Sequence, residues 1–143
     1  MKLRVFVFED NDVLLGIIIK ILQRRGHEVL GYSDPTRCPL YSNPTCPCPR
    51  EEACGDILIT DNDMPGMTGL EFIRRQSLRG CKGIMGNKAV MSGGWSSENL
   101  ELAKSLGCKI FRKPMSIKDL TEWLEECESR TSAERRLKTL DTV

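Results

Sequence analysis

Four apolar stretches of this chain each run into a side chain able to do chemistry. Leu3 to Phe8 leads into Glu9 and Asp10, and Ile57 to Ile59 leads into Asp61, with Asp63 two residues on. Lys88 to Met91 ends at Ser92, and Cys108 to Arg112 ends at Lys113-Pro114. Short runs of this length and β-branched content read as buried strands. An acid at the C-terminal end of a parallel strand stands at the edge where open α/β sheets bind their ligands. For a lone aspartate, a turn or a helix cap is the plainer reading. Asp61 rises above it because three other strand ends carry matching groups.

Three carboxylates gathered at one edge repel one another unless a divalent cation neutralises them. An all-oxygen ligand set with room for water suits Mg²⁺. Ser92 brings a hydroxyl able to bond an oxygen of an incoming phosphoryl group, and Lys113 brings a positive charge for the same group. The Lys113-Pro114 bond is a place where a cis peptide costs little. Metal ligands, acid nucleophile, hydroxyl and cation together suit phosphoryl transfer to an aspartate.

The elements that position these groups alternate. After the first strand, Val13, Leu14, Ile17, Ile18, Ile21 and Leu22 mark one face of a helix that Gly26 closes. Glu28 to Tyr32 reads as a second strand. The run ending in Asp61 is followed by a helix with capping-box spacing at Thr68 and Glu71, extending to about Gly80 with Leu70, Ile73 and Ser77 on one face. Another helix spans Ser96 to Leu106, with Leu102, Ala103 and Leu106 inward and Gly107 as its stop. The last opens at Ser116 and Asp119 and presents Leu120, Trp123, Leu124 and Cys127 on one face. This order predicts one α/β domain with a five-stranded parallel sheet.

The pattern breaks between 35 and 55, where five prolines fall from Pro35 to Pro49 and four of the seven cysteines (Cys38, Cys46, Cys48 and Cys54) are found. Proline removes donors and restricts its predecessor, so a regular helix is excluded there, with one turn at most over Arg50 to Ala53. The cysteine spacings match no paired zinc signature. Four thiols could still close around Zn²⁺ or an iron–sulfur cluster, or form disulfides, or act as small apolar residues. Cys81, Cys108 and Cys127 read as core or incidental.

The remaining features are plain. The 143 residues carry a net charge of +1, which predicts neither nucleic-acid nor membrane binding. No run is of transmembrane length and the chain opens directly on a strand, so a cytoplasmic protein is expected. His27, behind Gly26, reads as a surface loop residue. Trp95 reads as a half-buried structural aromatic close to the pocket mouth. The chain beyond Glu128 reads as a loosely attached polar, helical tail (129–143), and its basic stretch from Arg130 to Lys138 as a solvated face.

The ordered set Glu9-Asp10, Asp61 with Met64-Pro65, Ser92 and Lys113-Pro114 resembles the response regulator receiver domains of two-component signalling, from Leu3 through the last helix (1–128). The resemblance implies a flavodoxin-like, doubly wound fold in which the Pro/Cys segment 35–55 replaces the second helix. It implies that Asp61 takes a phosphoryl group from a phosphohistidine on a sensor histidine kinase. Asp10 would bind Mg²⁺ directly and Glu9 mainly through water, with the Asp63 backbone carbonyl completing the protein ligands. Ser92 and Lys113 would contact the phosphoryl oxygens. The face made by the helix over 96–106, the strand over 108–112 and the last helix would report the state to a downstream protein partner, with a dimer left open.

Two departures affect that readout. The family's aromatic residue three before the lysine is Ile110 here, while Phe111 should point to the other face of its strand. With no output domain in view, a stand-alone receiver and phosphorelay intermediate is expected, and no turnover enzyme. The rival reading from another class is an aspartate-nucleophile phosphatase of the haloacid dehalogenase type. Asp61-Asn62-Asp63, a later Ser and a Lys fit it, but that family's additional acids follow the lysine, whereas Glu9-Asp10 come first here and nothing matching follows Lys113.

Overall fold

The computed structural model describes residues 2–34, 52–53, 55–64, 66–78 and 87–137. In chain order the elements are β1 (Arg4–Phe8), α1 (Asp12–Arg24), β2 (Glu28–Tyr32), β3 (Glu52–Ala53), β4 (Ile57–Asp61) and α2 (Gly69–Leu78). They continue with β5 (Lys88–Ser92), α3 (Ser97–Ser105), β6 (Lys109–Arg112), α4 (Ile117–Arg130) and β7 (Arg136–Leu137). Five strands form a parallel sheet in the order β2-β1-β4-β5-β6. The order reverses between β1 and β4, so a crevice opens at the C-terminal ends of these two strands.

Strand alternation divides the core into two layers. Leu3, Val5 and Val7, with Ile57, Ile59, Ala89, Met91 and Phe111, point to the side covered by α1 and α4. Phe6, Phe8, Leu58 and Val90 point to the side covered by α2 and α3, where Ile110 also packs. The opposite facing of Ile110 and Phe111 is the expected one, and it follows from the two-residue period of a strand. On α4 the four expected residues Leu120, Trp123, Leu124 and Cys127 are all buried. Phe111 meets Trp123 edge-on, with ring centroids 5.9 Å apart.

The helix signals mark true ends. The Asn11, Ser96 and Ser116 side chains accept from the backbone N–H three residues on and cap α1, α3 and α4. Gly26 closes α1 at φ +88°, a conformation that glycine adopts without steric cost. Thr68 accepts from the Glu71 N–H, but the Glu71 side chain pairs with Arg74 instead of completing the reciprocal half of the capping box.

Four expectations need correction. The predicted apolar face of α1 is too wide. Ile18 and Leu22 are buried, whereas Val13 is 74% exposed and Ile17 47%, because the buried stripe centres on the row through Leu14, Ile18 and Ile21–Leu22. His27 is a core residue, its side chain fully buried. Its Nδ1 accepts the Leu3 N–H at 3.1 Å, so its Nε2 carries the proton and donates to Glu128 at 2.9 Å.

The segment after α4 is docked and not merely solvated. Its β7 pairs in parallel with β3, and Arg135 holds the buried Asp56 carboxylate through two nitrogens. The same arginine donates to the Lys2 carbonyl. Glu52 and Ala53 are thus strand and not the helical turn allowed above. Cys38, Cys46, Cys48, Cys54 and Cys81 lie outside the described residues, and with them the expected metal or disulfide and the fate of the family's second helix. Cys108 and Cys127 are free thiols within the two layers, as expected. Among the described residues, no helix is long and apolar enough to cross a membrane.

Candidate functional site

The register of the sheet sets the site. Phe8 lies opposite Thr60, so the next residues, Glu9 and Asp61, leave neighbouring strands side by side. Asp61 lies opposite Met91, and Ser92 opposite Arg112, which puts Ser92 and Lys113 at the same edge. Backbone bonds carry the ladder past the strand ends: Glu9 N–H to the Tyr32 carbonyl, Asn62 N–H to Met91 and Lys113 N–H to Ser92. The chemistry-bearing groups thus follow directly on backbone that is hydrogen-bonded to its neighbouring strands, which limits their freedom.

Glu9, Asp10 and Asp61 each present a carboxylate oxygen, and these oxygens lie within 4.8 Å of one another. Glu9 and Asp61 are buried and Asp10 is exposed, so the cluster opens to solvent on one side. Lys113 Nζ lies 3.0 Å from Glu9 Oε1 and 3.1 Å from Asp61 Oδ2. The Lys113-Pro114 peptide is cis, as the sequence suggested.

One ammonium among three carboxylates leaves net negative charge, and the protonation equilibria record it. Burial, reinforced by the hydrogen bond and charge of Asp61, pushes the Glu9 carboxyl up to about 7. Asp10 is raised as well, first by burial and then by Asp61. For Asp61, burial is the largest single influence and opposes ionisation. The Asp63 N–H, Glu9 and Lys113 together outweigh it, and its carboxyl is held below the usual range. Burial opposes the charge on Lys113 too, but its bonds to Glu9 and Asp61 prevail and raise it. Asp61 is therefore the member of the group that ionises most readily, and the ionised state is the one a nucleophile requires.

The loop after β4 holds Asp61 in place. The Asp63 N–H donates to Asp61 Oδ1 at 3.0 Å, and the buried Asn62 side chain accepts the Leu70 N–H at the start of α2. Gly69, the first residue of α2, packs so tightly on the Asp61 carbonyl and Thr60 that a Cβ there would collide with both. The sequence signalled the turn but neither of these contacts, which depend on how α2 docks.

The Ser92 hydroxyl, expected to meet a phosphoryl oxygen, already has partners in this structure. Its Oγ donates to Asp63 Oδ2 at 3.0 Å and accepts the Gly94 N–H at 3.1 Å. The expected role of Asp63 rested on its carbonyl alone, whereas its carboxylate reaches Ser92. Trp95 is half-buried and donates its indole N–H to the Phe111 carbonyl at 3.0 Å, joining the Ser92 loop to β6. Among the described residues, every strand-end group singled out from the sequence (Glu9, Asp10, Asp61, Asp63, Ser92 and Lys113) meets at this edge.

A doubly wound sheet of this strand order, with an acid closing its central strand, defines a class. The chain is a response regulator receiver domain. Over 125 residues, 85% of its length, it is 30% identical to a protein described as a two-component response regulator of Arabidopsis thaliana. It spans 18% of that relative's length. It superposes on a response regulator receiver protein of Pseudomonas putida with a TM-score of 0.72 and 24% identity, covering 88% of this chain and 98% of the other. The beryllofluoride-activated NtrC4 receiver domain dimer gives a TM-score of 0.72 at 18% identity, covering 90% and 98%. At such identities the two structures speak for the fold alone. No family model matches the chain.

The acid cluster fits a hard divalent cation. Its donors are carboxylate oxygens close enough to share one ion, and their charge exceeds what Lys113 offsets.

Proposed function

We propose that the protein is a phospho-accepting signalling module in which Asp61 receives a phosphoryl group from a histidine kinase phosphohistidine. The observation that carries this reading is an ionised, 1%-exposed aspartate at the end of the central strand, 3.1 Å from a lysine ammonium and beside two further acids. Burying a carboxylate there is unfavourable by itself.

In the proposed step an Asp61 oxygen attacks phosphorus. The bond from phosphorus to the donor imidazole nitrogen breaks, the imidazole leaves with a proton, and an acyl phosphate forms on Asp61. Glu9, Asp10 and Asp61, with the Asp63 carbonyl, would hold Mg²⁺, which offsets charge on the transferring group when bound. Lys113 shifts its ammonium from Asp61 toward a phosphoryl oxygen while keeping Glu9 as its second partner. The Ser92 hydroxyl turns to donate to another phosphoryl oxygen. The added charge of about −1.5 to −2 then favours a second arrangement of the β5 and β6 ends, which a protein partner reads on the face of α3, β6 and α4. The protein serves as a stoichiometric acceptor and not as a turnover phosphatase.

Intact mass after incubation with acetyl phosphate and Mg²⁺ tests this. One phosphoryl increment is expected on the wild type and none on Asp61→Asn. An increment that persists in the variant, or none on the wild type, removes Asp61 as the acceptor. Sustained release of phosphate from a generic phosphomonoester would favour the phosphatase instead.

A further inference from the structure

Asp63 occupies an unusual place in the pocket because it grips two of its other members. Its N–H donates to Asp61 Oδ1 at 3.0 Å, and its Oδ2 accepts the Ser92 hydroxyl at 3.0 Å. Ser92 is 1% exposed, and its Oγ already accepts from the Gly94 N–H. A hydroxyl has one proton to donate. With that proton committed to Asp63, none is left for an oxygen arriving on Asp61, and a phosphoryl group offers acceptors only. Asp63 is itself exposed, so water can replace Ser92 as its partner without a buried charge being stranded.

We infer that Asp63 is a positioning residue that latches the Ser92 hydroxyl in the resting protein, and that loading of Asp61 requires this hydrogen bond to be exchanged. The inference rests on the reading of Asp61 as phosphoryl acceptor and adds a term to it. The affinity of the pocket for a phosphoryl group is set partly by what must be let go. Removing the Asp63 carboxylate frees the hydroxyl in advance and tightens the loaded state, as any preorganisation does. The same substitution removes a negative charge near an anionic ligand, and that effect must be separated from the latch.

The test is a fluoroberyllate titration at fixed Mg²⁺, followed by ¹H–¹⁵N spectra, on four proteins: wild type, Asp63→Ala, Ser92→Ala and the double variant. Asp63→Ala is expected to bind roughly fivefold more tightly than wild type, the equivalent of one net hydrogen bond. In the Ser92→Ala background, where no hydroxyl can be latched, the gain should vanish. Asp63→Asn, which keeps an acceptor and the shape, should show a smaller gain and guards against misfolding of the alanine variant. Equal or weaker binding by Asp63→Ala overturns the latch, as does a gain that survives in Ser92→Ala and so reflects charge alone. Wild-type protein that binds no fluoroberyllate overturns the acceptor reading, and the latch falls with it.

Discussion

Lys113 and Asp61 meet across an intervening strand. The lysine follows β6, the aspartate ends β4, and the ammonium spans the end of β5 to stand 3.1 Å from Asp61 Oδ2. It also lies 3.0 Å from Glu9 Oε1, one strand further on. A single flexible cation thereby ties the ends of β1, β4 and β6 together. Several consequences can be measured.

Lys113→Ala leaves Glu9 and Asp61 buried without their cation. Losing one partner of a buried ion pair costs about 3 kcal/mol. Urea unfolding in chelator should show a loss of that order, and millimolar Mg²⁺ should recover most of it by taking over the neutralising role. A loss of equal size with and without Mg²⁺ would mean that the lysine acts by packing.

The Glu9 carboxyl is raised from 4.5 to about 7, first by burial and then by Asp61. The folded state therefore keeps a proton that the unfolded chain gives up. Stability from this group is complete below 4.5 and is lost as pH rises through 7. Glu9→Gln, which cannot ionise, should match wild type at pH 5 and exceed it at pH 8 by about 2 kcal/mol in metal-free buffer. For the wild type, Mg²⁺ affinity should rise over the same pH window, because the ligand must be deprotonated. Parallel stability curves for the two proteins would refute the assignment.

Gly69→Ala places a methyl group against the Asp61 carbonyl and Thr60. Backbone cannot yield as a side chain can, so a loss of about 2 kcal/mol is expected from overpacking. The displaced strand end should also weaken fluoroberyllate binding. A crystal structure of the variant with Asp61 unmoved would contradict this.

Arg135→Ala removes the guanidinium from Asp56, which is 4% exposed and, among the described residues, then keeps the Arg4 N–H as a donor to its carboxylate. A loss of about 3 kcal/mol in chemical denaturation is expected. Arg74→Ala, at a half-exposed i,i+3 pair, should leave the denaturation midpoint nearly unchanged. Adding Asp56→Asn to Arg135→Ala should recover part of the larger loss, since the stranded charge is then gone.

What could be read from the sequence was what depends on neighbours along the chain. Strand period, helix caps and the Gly26 stop are local, and they fixed the alternation that brings Glu9, Asp61, Ser92 and Lys113 to one edge. His27 escaped because its partners, Leu3 and Glu128, lie far from it in sequence, and nothing near Gly26 announces them. Arg135 escaped for the same reason, as its charge looks like any other in a basic tail until Asp56 is found beneath it. The width of the α1 face was misjudged because Val13 and Ile17 satisfy the helical period without being covered. The Asp63–Ser92 bond joins two residues already singled out, yet only the geometry of two adjoining loops makes them partners.

The hydrogen bond from Arg135 to the Lys2 carbonyl also bears on how this chain may be rewired. It holds the beginning and the close of the described chain together at the end of the sheet away from the acids. A short linker between these two regions would complete a ring without moving any strand, and the chain could then be reopened elsewhere, as circular permutants commonly are. A new opening in the polar loop before α3 would separate Ser92 from the helix that follows it while leaving Glu9 and Asp61 on intact strands. Such a permutant would show whether the acid cluster binds its cation independently of the strand ends that respond to it.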